Sequence, residues 1–465
     1  MKKEPKPSSS PSPTSPTLIW PFLTASLMTL GYVGFYVLPV LDPHNALGHV
    51  ALTTGIFLLY VTGAYAARNI QHGKAFAVLV GFGLLYRLLL FPIEPSMSDD
   101  YHRYIWDGKV QAHGYNPYIY PPESDVLIHL KDPLYHNSIN HPYLHSIYPP
   151  TSQWVFLLGY LSSSQSAMGL KAWLFLADLF TIFLLALFLK RRCRPPGYLL
   201  FYLWCPIPII ETMLDAHIDA LAPPFLIAAL LLAQRRRPYL TGAMMALAIM
   251  VKPLPIFLVP VLLWHFRWRR AFQCLLAMAI VGFLGYLPYL QAGPSMFVSI
   301  IRYSRHWHIN GPFFKFFSQW YVSGDIRMVL GLVTIGVALI APFLRLSLER
   351  RLLVPLAGYL MLTPTVYPWY FVWLAPFLAM TPTPWLFWFA GTISLVHTVH
   401  YFSSINGVWL LPGFLVCIEY IPIFLMIVVQ AVPFFLRPWL RRWREQRWDR
   451  KAQPPPRIAP NETTF

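Results

Sequence analysis

Two adjacent aspartates open the stretch Ser98-Asp-Asp-Tyr-His-Arg-Tyr-Ile-Trp-Asp-Gly-Lys109, which runs on through Gly114-Tyr-Asn-Pro-Tyr118 to Tyr120-Pro-Pro122. An acid pair directly after an apolar run suits general-base chemistry. Where such a loop folds over a greasy cavity, one carboxyl acquires a raised pKa and can take a proton from a substrate hydroxyl. Ser98 or Asp99 can cap a short helix beginning near Asp100, because a side-chain oxygen there accepts from first-turn amides. Helical spacing then lines Asp100, Arg103, Asp107 and Gln111 along one face. That spacing also fits an ion-pair ladder on a solvated surface helix.

Further groups stand inside or beside apolar runs. Glu211, Asp215, His217 and Asp219 cluster between two of them, and ionisable side chains at membrane depth are expensive, hence usually functional or paired. Capping of the segment 218–234 by Asp215 or His217 is the structural alternative. The residue types would also suit a metal, although their spacing demands none. Lys252 lies inside the apolar stretch Ala246 to Val261, beside Pro253. It either snorkels to a surface or meets an anion such as a lipid-linked phosphate. Arg302, Arg305, His306 and His308 offer the same chemistry from a second loop, where contact with anionic lipid headgroups is the alternative. Tyr148-Pro-Pro150 and Tyr367-Pro-Trp-Tyr370 read as interfacial aromatic belts, or as faces for a sugar ring.

The elements that must position these groups are membrane helices. Of 465 residues, 56% are hydrophobic and 12% charged, with a mean hydropathy of +0.48, which excludes a soluble globular chain. Apolar runs of ~20 residues recur from Leu18 to Leu436, giving an all-α polytopic membrane protein. The net charge of +17 raises the question of nucleic acid, but the basic clusters fall in short breaks: Lys190 to Arg194, Arg235 to Arg237, Arg267 to Arg270, Arg350-Arg351 and Arg441 to Arg444. That is the positive-inside pattern, and no nucleic-acid partner is expected. The reading is a disordered cytoplasmic tail over 1–17, a transmembrane domain over 18–436 and a basic cytoplasmic tail over 437–465, with both termini inside and outer loops at 94–150 and 291–325. About fourteen membrane segments result, counting both pieces of a broken pair at 239–251 and 254–266, and 151–162 reads as a short re-entrant or interfacial piece beside them. The first apolar run is longer than a signal-peptide core and reads as a retained anchor. Cys193, Cys205, Cys274 and Cys417 lie in or beside apolar runs and form neither a disulfide framework nor a metal-ligand pattern. The chain shows no internal repeat, which weakens a transporter reading.

With these residues in place, Ser98 to Pro122 resembles the first outer loop of the GT-C superfamily of polytopic glycosyltransferases, bacterial polyprenol-phosphate mannosyltransferase-like proteins in particular. The pattern is the acid pair, a Tyr, Trp106-Asp-Gly108, Gly114 and Asn116-Pro-Tyr118, with further matches at Tyr148-Pro-Pro150, His217 to Leu221, Lys252-Pro253 and Pro368-Trp-Tyr370. The resemblance implies a GT-C-type bundle of about 12–14 transmembrane segments. It implies transfer of a hexose, with mannose favoured, from a polyprenyl-phosphate carrier to a glycan or lipid acceptor on the outer face of the bacterial cytoplasmic membrane. It places the catalytic base at Asp99 or Asp100: spacing to Asp107 favours Asp99, and their contiguity leaves the choice open. Donor phosphate would be met by Arg103, Lys252, Arg302, Arg305 and His306. Asp107, Tyr118, Tyr148, His217, Asp219, Trp369 and Tyr370 would meet the substrates. A lipid phosphate leaves without acid assistance, so one base and a few cations suffice, with inversion in a single displacement. No metal ligand is assigned and no cofactor is required, though the loop acids are compatible with a divalent cation. The rivals are a transporter or lipid-linked-sugar flippase, and a polymerase or ligase moving whole oligosaccharides from a diphosphate lipid.

Overall fold

The computed structural model describes residues 18–41, 45–133, 135–164 and 166–452. The expected tail 1–17 lies outside them. The helix Gly413–Ala452 runs through the first part of the expected tail 437–465, whose remainder is also outside. The described residues form helices and turns without a strand; the only extended pairing among them joins Ile309 and Asn310 to Thr365.

Among the described residues six helices are long and apolar enough to cross a membrane: Ile19–Leu38, Ala46–Ala67, Met168–Arg191, Trp268–Ala292, Ser323–Phe343 and Gly413–Val432. The pair Pro196–Leu203 and Pro206–Leu214, bent by 56°, supplies a seventh if counted as one broken span. The other expected segments are helical but shorter, among them Ile218–Gln234, Pro238–Ile249 and Leu254–His265. Prolines explain the shortening: each of Pro206, Pro208, Pro253, Pro255 and Pro260 removes a backbone donor, and a membrane protein tolerates this only where the backbone is buried in protein or lines a cavity.

Four helices set the position of the acid-bearing loop: α3 (Lys74–Leu90), α4 (Asp100–Ala112), α5 (Pro150–Ser162) and α6 (Met168–Arg191), numbered after α1 (Ile19–Leu41) and α2 (Ala46–Ala67). α5 is the short piece expected at 151–162. It packs against α4 so closely that a Cβ on Gly108 would stand 2.2 Å from the Phe156 carbonyl oxygen. Tyr104 stacks on Phe156 beside that contact, with ring centroids 4.7 Å apart. A second glycine contact joins α5 to α6, where a Cβ on Gly169 would meet the Gly159 carbonyl at 2.2 Å. At its start α5 docks on the break before Lys252: the Thr151 amide donates to the Met250 carbonyl at 3.0 Å and Ser152 Oγ to the Val251 carbonyl at 2.8 Å.

One buried pair of opposite charges ties α3 to α6. Arg87 of α3 donates through Nε to Asp178 of α6, and through Nη1 to the Leu203 carbonyl at 2.7 Å, while the Tyr202 hydroxyl donates to Asp178 at 2.6 Å. Two buried ions in a low-dielectric setting are tolerated only with such mutual satisfaction. Lys171, near the start of α6, donates to the Ile93 carbonyl just past α3, directing the chain into the loop. At the far end of α6 the basic breaks converge, with Arg192 on Glu349 at 2.5 Å, Arg194 on the Met380 carbonyl at 2.9 Å and Arg236 on the His265 carbonyl at 3.1 Å.

Candidate active site

α4 begins at Asp100, as expected, but Asp99 does not cap it with its side chain. Ser98 Oγ instead accepts from the Asp100 amide at 3.3 Å, and the exposed Asp99 accepts from Asn140 Nδ2 at 2.7 Å. Asp100 is half-buried, and the Tyr104 hydroxyl donates to it at 3.4 Å. Burial, reinforced by the charge of Asp99, pushes the Asp100 carboxyl up to about 6, against the opposing pull of Lys252. The neighbouring acids thus occupy different environments.

Lys252 is held by Asp219, with Nζ to Oδ2 at 2.6 Å, and Trp373 Nε1 donates to the other carboxylate oxygen of Asp219 at 2.6 Å. Asp219 is wholly buried, whereas the Lys252 side chain keeps 18% of its surface. The ammonium lies 4.9 Å from the Tyr370 ring centroid, and the Tyr370 hydroxyl is 3.0 Å from that of Tyr303. Tyr148 stands edge-on to Tyr104 at 5.1 Å. Asp100, Lys252 and Asp219 are therefore within electrostatic reach of one another, between tyrosines drawn from four separate segments.

The alternative of a solvated ion-pair ladder on α4 does not hold: the face is a buried network, because α5 and the return of the loop cover it. Asp107 accepts from Arg103 Nε at 2.8 Å, Ser146 Oγ at 2.5 Å and Gln153 Nε2 at 3.0 Å. Arg103 donates onward to the Leu144 carbonyl at 2.9 Å. The Tyr118 hydroxyl donates to the Tyr148 carbonyl at 2.6 Å, and Tyr118 is 1% exposed. Arg103, Asp107 and Tyr118 thus tie the loop to itself, leaving Tyr148 anchored beside Asp100.

Beyond the bend, a π-helical turn at Ile210–Leu214 leads to Asp215 and Ala216, whose φ is 57°. A left-handed, fully buried alanine is strained backbone, a condition that gathers at functional positions. Asp215 does not cap the following helix; it accepts from the Ser96 and Met97 amides at 3.4 and 3.2 Å. His217 makes no cap either. Its ring stacks on Trp369 at 3.8 Å, which stacks on Tyr367 at 4.3 Å.

The loop 291–325 meets the acid-bearing loop at its rim. Trp307 packs edge-on to His141 at 4.9 Å, and the Arg302 guanidinium lies 5.4 Å from the Tyr143 ring centroid. Arg302, Arg305 and His306 are exposed on the helix Ser295–His306, with Tyr303 joining that helix to Tyr370. Sequence reading passed over His49, Arg87, Lys171, Asp178, His397 and Glu419, all buried. An ionisable side chain inside an apolar run was the available signal in each case.

Residues 33–267 match the family model described as alpha-(1->6)-mannopyranosyltransferase, N-terminal domain. The match includes the acid pair, the Glu211 to Asp219 cluster and Lys252, while Trp369, Tyr370 and the loop arginines lie beyond it. Comparison with curated proteins and with solved structures finds no match. A family match over half of the chain, on a helical bundle able to span a membrane, makes this protein a membrane mannosyltransferase belonging to the alpha-(1->6)-mannopyranosyltransferase family.

Proposed function

We propose that the protein moves a mannose from a polyprenyl-phosphate carrier to a hydroxyl of a glycan or lipid acceptor, on the outer face of the bacterial cytoplasmic membrane, with Asp100 as the base. The observation that carries this reading is the half-buried acid set against the Lys252 and Asp219 pair within a wall of tyrosines. A base poised near neutrality is matched to removing a hydroxyl proton, whereas Asp99 is exposed and engaged by Asn140. Asp100 takes the acceptor proton and the acceptor oxygen attacks the anomeric carbon. The bond to the carrier phosphate breaks with its electron pair leaving on the phosphate, giving inversion in one displacement.

Lys252 is the cation inside the site for that phosphate, with Arg302, Arg305 and His306 at the rim; Arg103 is committed to Asp107. Tyr148, Tyr370 and the His217, Trp369 and Tyr367 stack offer aromatic faces to a sugar ring. An apolar recess lined by Leu226, Leu230, Leu258, Leu262, Trp373 and Phe377 shares Trp373 with Asp219. The reading needs no cofactor, since neutralising one phosphate does not call for a metal.

Purified protein in detergent, given labelled polyprenyl-phosphate mannose and acceptor, should transfer the sugar. Asp100→Asn should lose about 10²-fold or more while unfolding at an unchanged or higher temperature. Full activity in Asp100→Asn with loss in Asp99→Asn would move the base by one residue. A wild-type enzyme that leaves the sugar on its carrier would favour the transporter reading.

A further inference from the structure

Apart from Asp100 and Lys252, three buried side chains distant in sequence converge: His49 in the first turn of α2, Asp215 after the π-helical turn and His397. One donor atom from each lies within 4.8 Å of the other two. They are 2%, 0% and 3% exposed, in that order. His49 Nε2 and Asp215 Oδ2 have no hydrogen-bond partner, and leaving such atoms buried and unmatched is costly. The edge-on packing of the His49 and His397 rings, centroids 4.9 Å apart, accounts for the ring faces but not for the in-plane nitrogen or the free carboxylate oxygen. His397 Nε2 lies 3.1 Å from Glu211 Oε1. With Glu211 ionised and accepting from Nε2–H, the lone pair of His397 lies on Nδ1, the arrangement of a metal-bound histidine supported by an outer carboxylate.

We propose that His49, Asp215 and His397 bind one divalent transition-metal ion, with Glu211 orienting His397. Two imidazoles and one carboxylate suit zinc-type ions rather than magnesium or calcium, which prefer all-oxygen shells. The ion's role follows from what Asp215 also holds. Its other oxygen accepts from the Ser96 and Met97 amides, and the Met97 carbonyl is 3.1 Å from His400 Nε2. These backbone groups precede the acid pair directly. A metal on Asp215 Oδ2 therefore fixes the root of the loop, and its three ligands are positioning residues, not catalytic ones.

Metal content tests this without any sugar donor, so the result stands apart from the transferase reading. Full-length protein in detergent is stripped with a chelator and dialysed against zinc or cobalt(II) alone. Wild type should retain about one ion per chain, show the visible absorption of cobalt bound by nitrogen and oxygen ligands, and unfold at a higher temperature with zinc than without. His49→Gln and His397→Gln should each lose the ion and the zinc-dependent shift. A wild-type chain that retains no stoichiometric zinc or cobalt overturns the proposal, even if the variants fail to fold. Folded variants that keep the full metal content overturn it equally.

Discussion

The proton on Asp100 decides when the proposed reaction can run. Its carboxyl is pushed up to about 6, first by burial and then by the charge of Asp99, and a base works only when deprotonated. The transfer rate per unit of free enzyme should therefore be level above about pH 6 and fall roughly tenfold per pH unit below it. A pH profile of kcat/KM that stays flat down to about pH 4.5 would count against Asp100. Stability should show the opposite dependence. The folded chain holds this proton more tightly than an unfolded carboxyl with an ordinary value of 3.8, so the contribution of Asp100 to stability declines as pH rises through about 6. At about pH 8 the neutral amide of Asp100→Asn should thus unfold no earlier than wild type, measured by thermal melting in detergent, even though transfer is lost. Ala216 is another residue held against local preference. With φ at 57° and no side chain beyond Cβ, replacement by glycine should stabilise by up to about 1 kcal/mol, read as a higher unfolding midpoint.

Helices deliver these residues by close approach, and glycine permits it. A Cβ at Gly108 would stand 2.2 Å from the Phe156 backbone oxygen, and a backbone atom cannot swing aside as a flexible side chain can. Gly108→Ala should push α4 off α5 and lower stability by about 1–3 kcal/mol. Because Asp100 opens α4, transfer should fall as well. An alanine variant with wild-type melting and activity would show that the two helices yield without consequence. Such packing also marks how far the sequence could be read. The start of α4 at Asp100 and the short helix at Pro150–Ser162 were legible because caps, prolines and apolar run length are local signals. The burial of Asp107 was not, since its partners Ser146 and Gln153 lie 39 and 46 residues away. Nor was the Arg87 and Asp178 pair, 91 residues apart. In a segment apolar on all sides, periodicity does not say which face meets protein and which meets lipid.

Over the whole molecule, charge and chemistry separate along α6. Lys171, near its first residue, reaches Ile93 at the root of the acid-bearing loop, while Arg192, just beyond its last, pairs with Glu349 among the basic breaks. A helix of 24 residues spans roughly 36 Å at 1.5 Å per residue, more than the ~30 Å hydrocarbon core. The two groups therefore lie toward opposite ends of one membrane-length helix. In the proposed orientation the end rich in arginine and lysine faces the cytoplasm, and Asp100 then lies on the outer side together with the rim arginines. Cys193 is an exposed native probe within the basic cluster, and Glu123 is exposed on the acid-bearing loop. With the other exposed cysteine removed as Cys417→Ser, Glu123→Cys in intact cells should react with a membrane-impermeant maleimide, whereas Cys193 should react only after the membrane is opened. Labelling in the reverse order would place the acid pair in the cytoplasm, where a donor presented from outside cannot reach it.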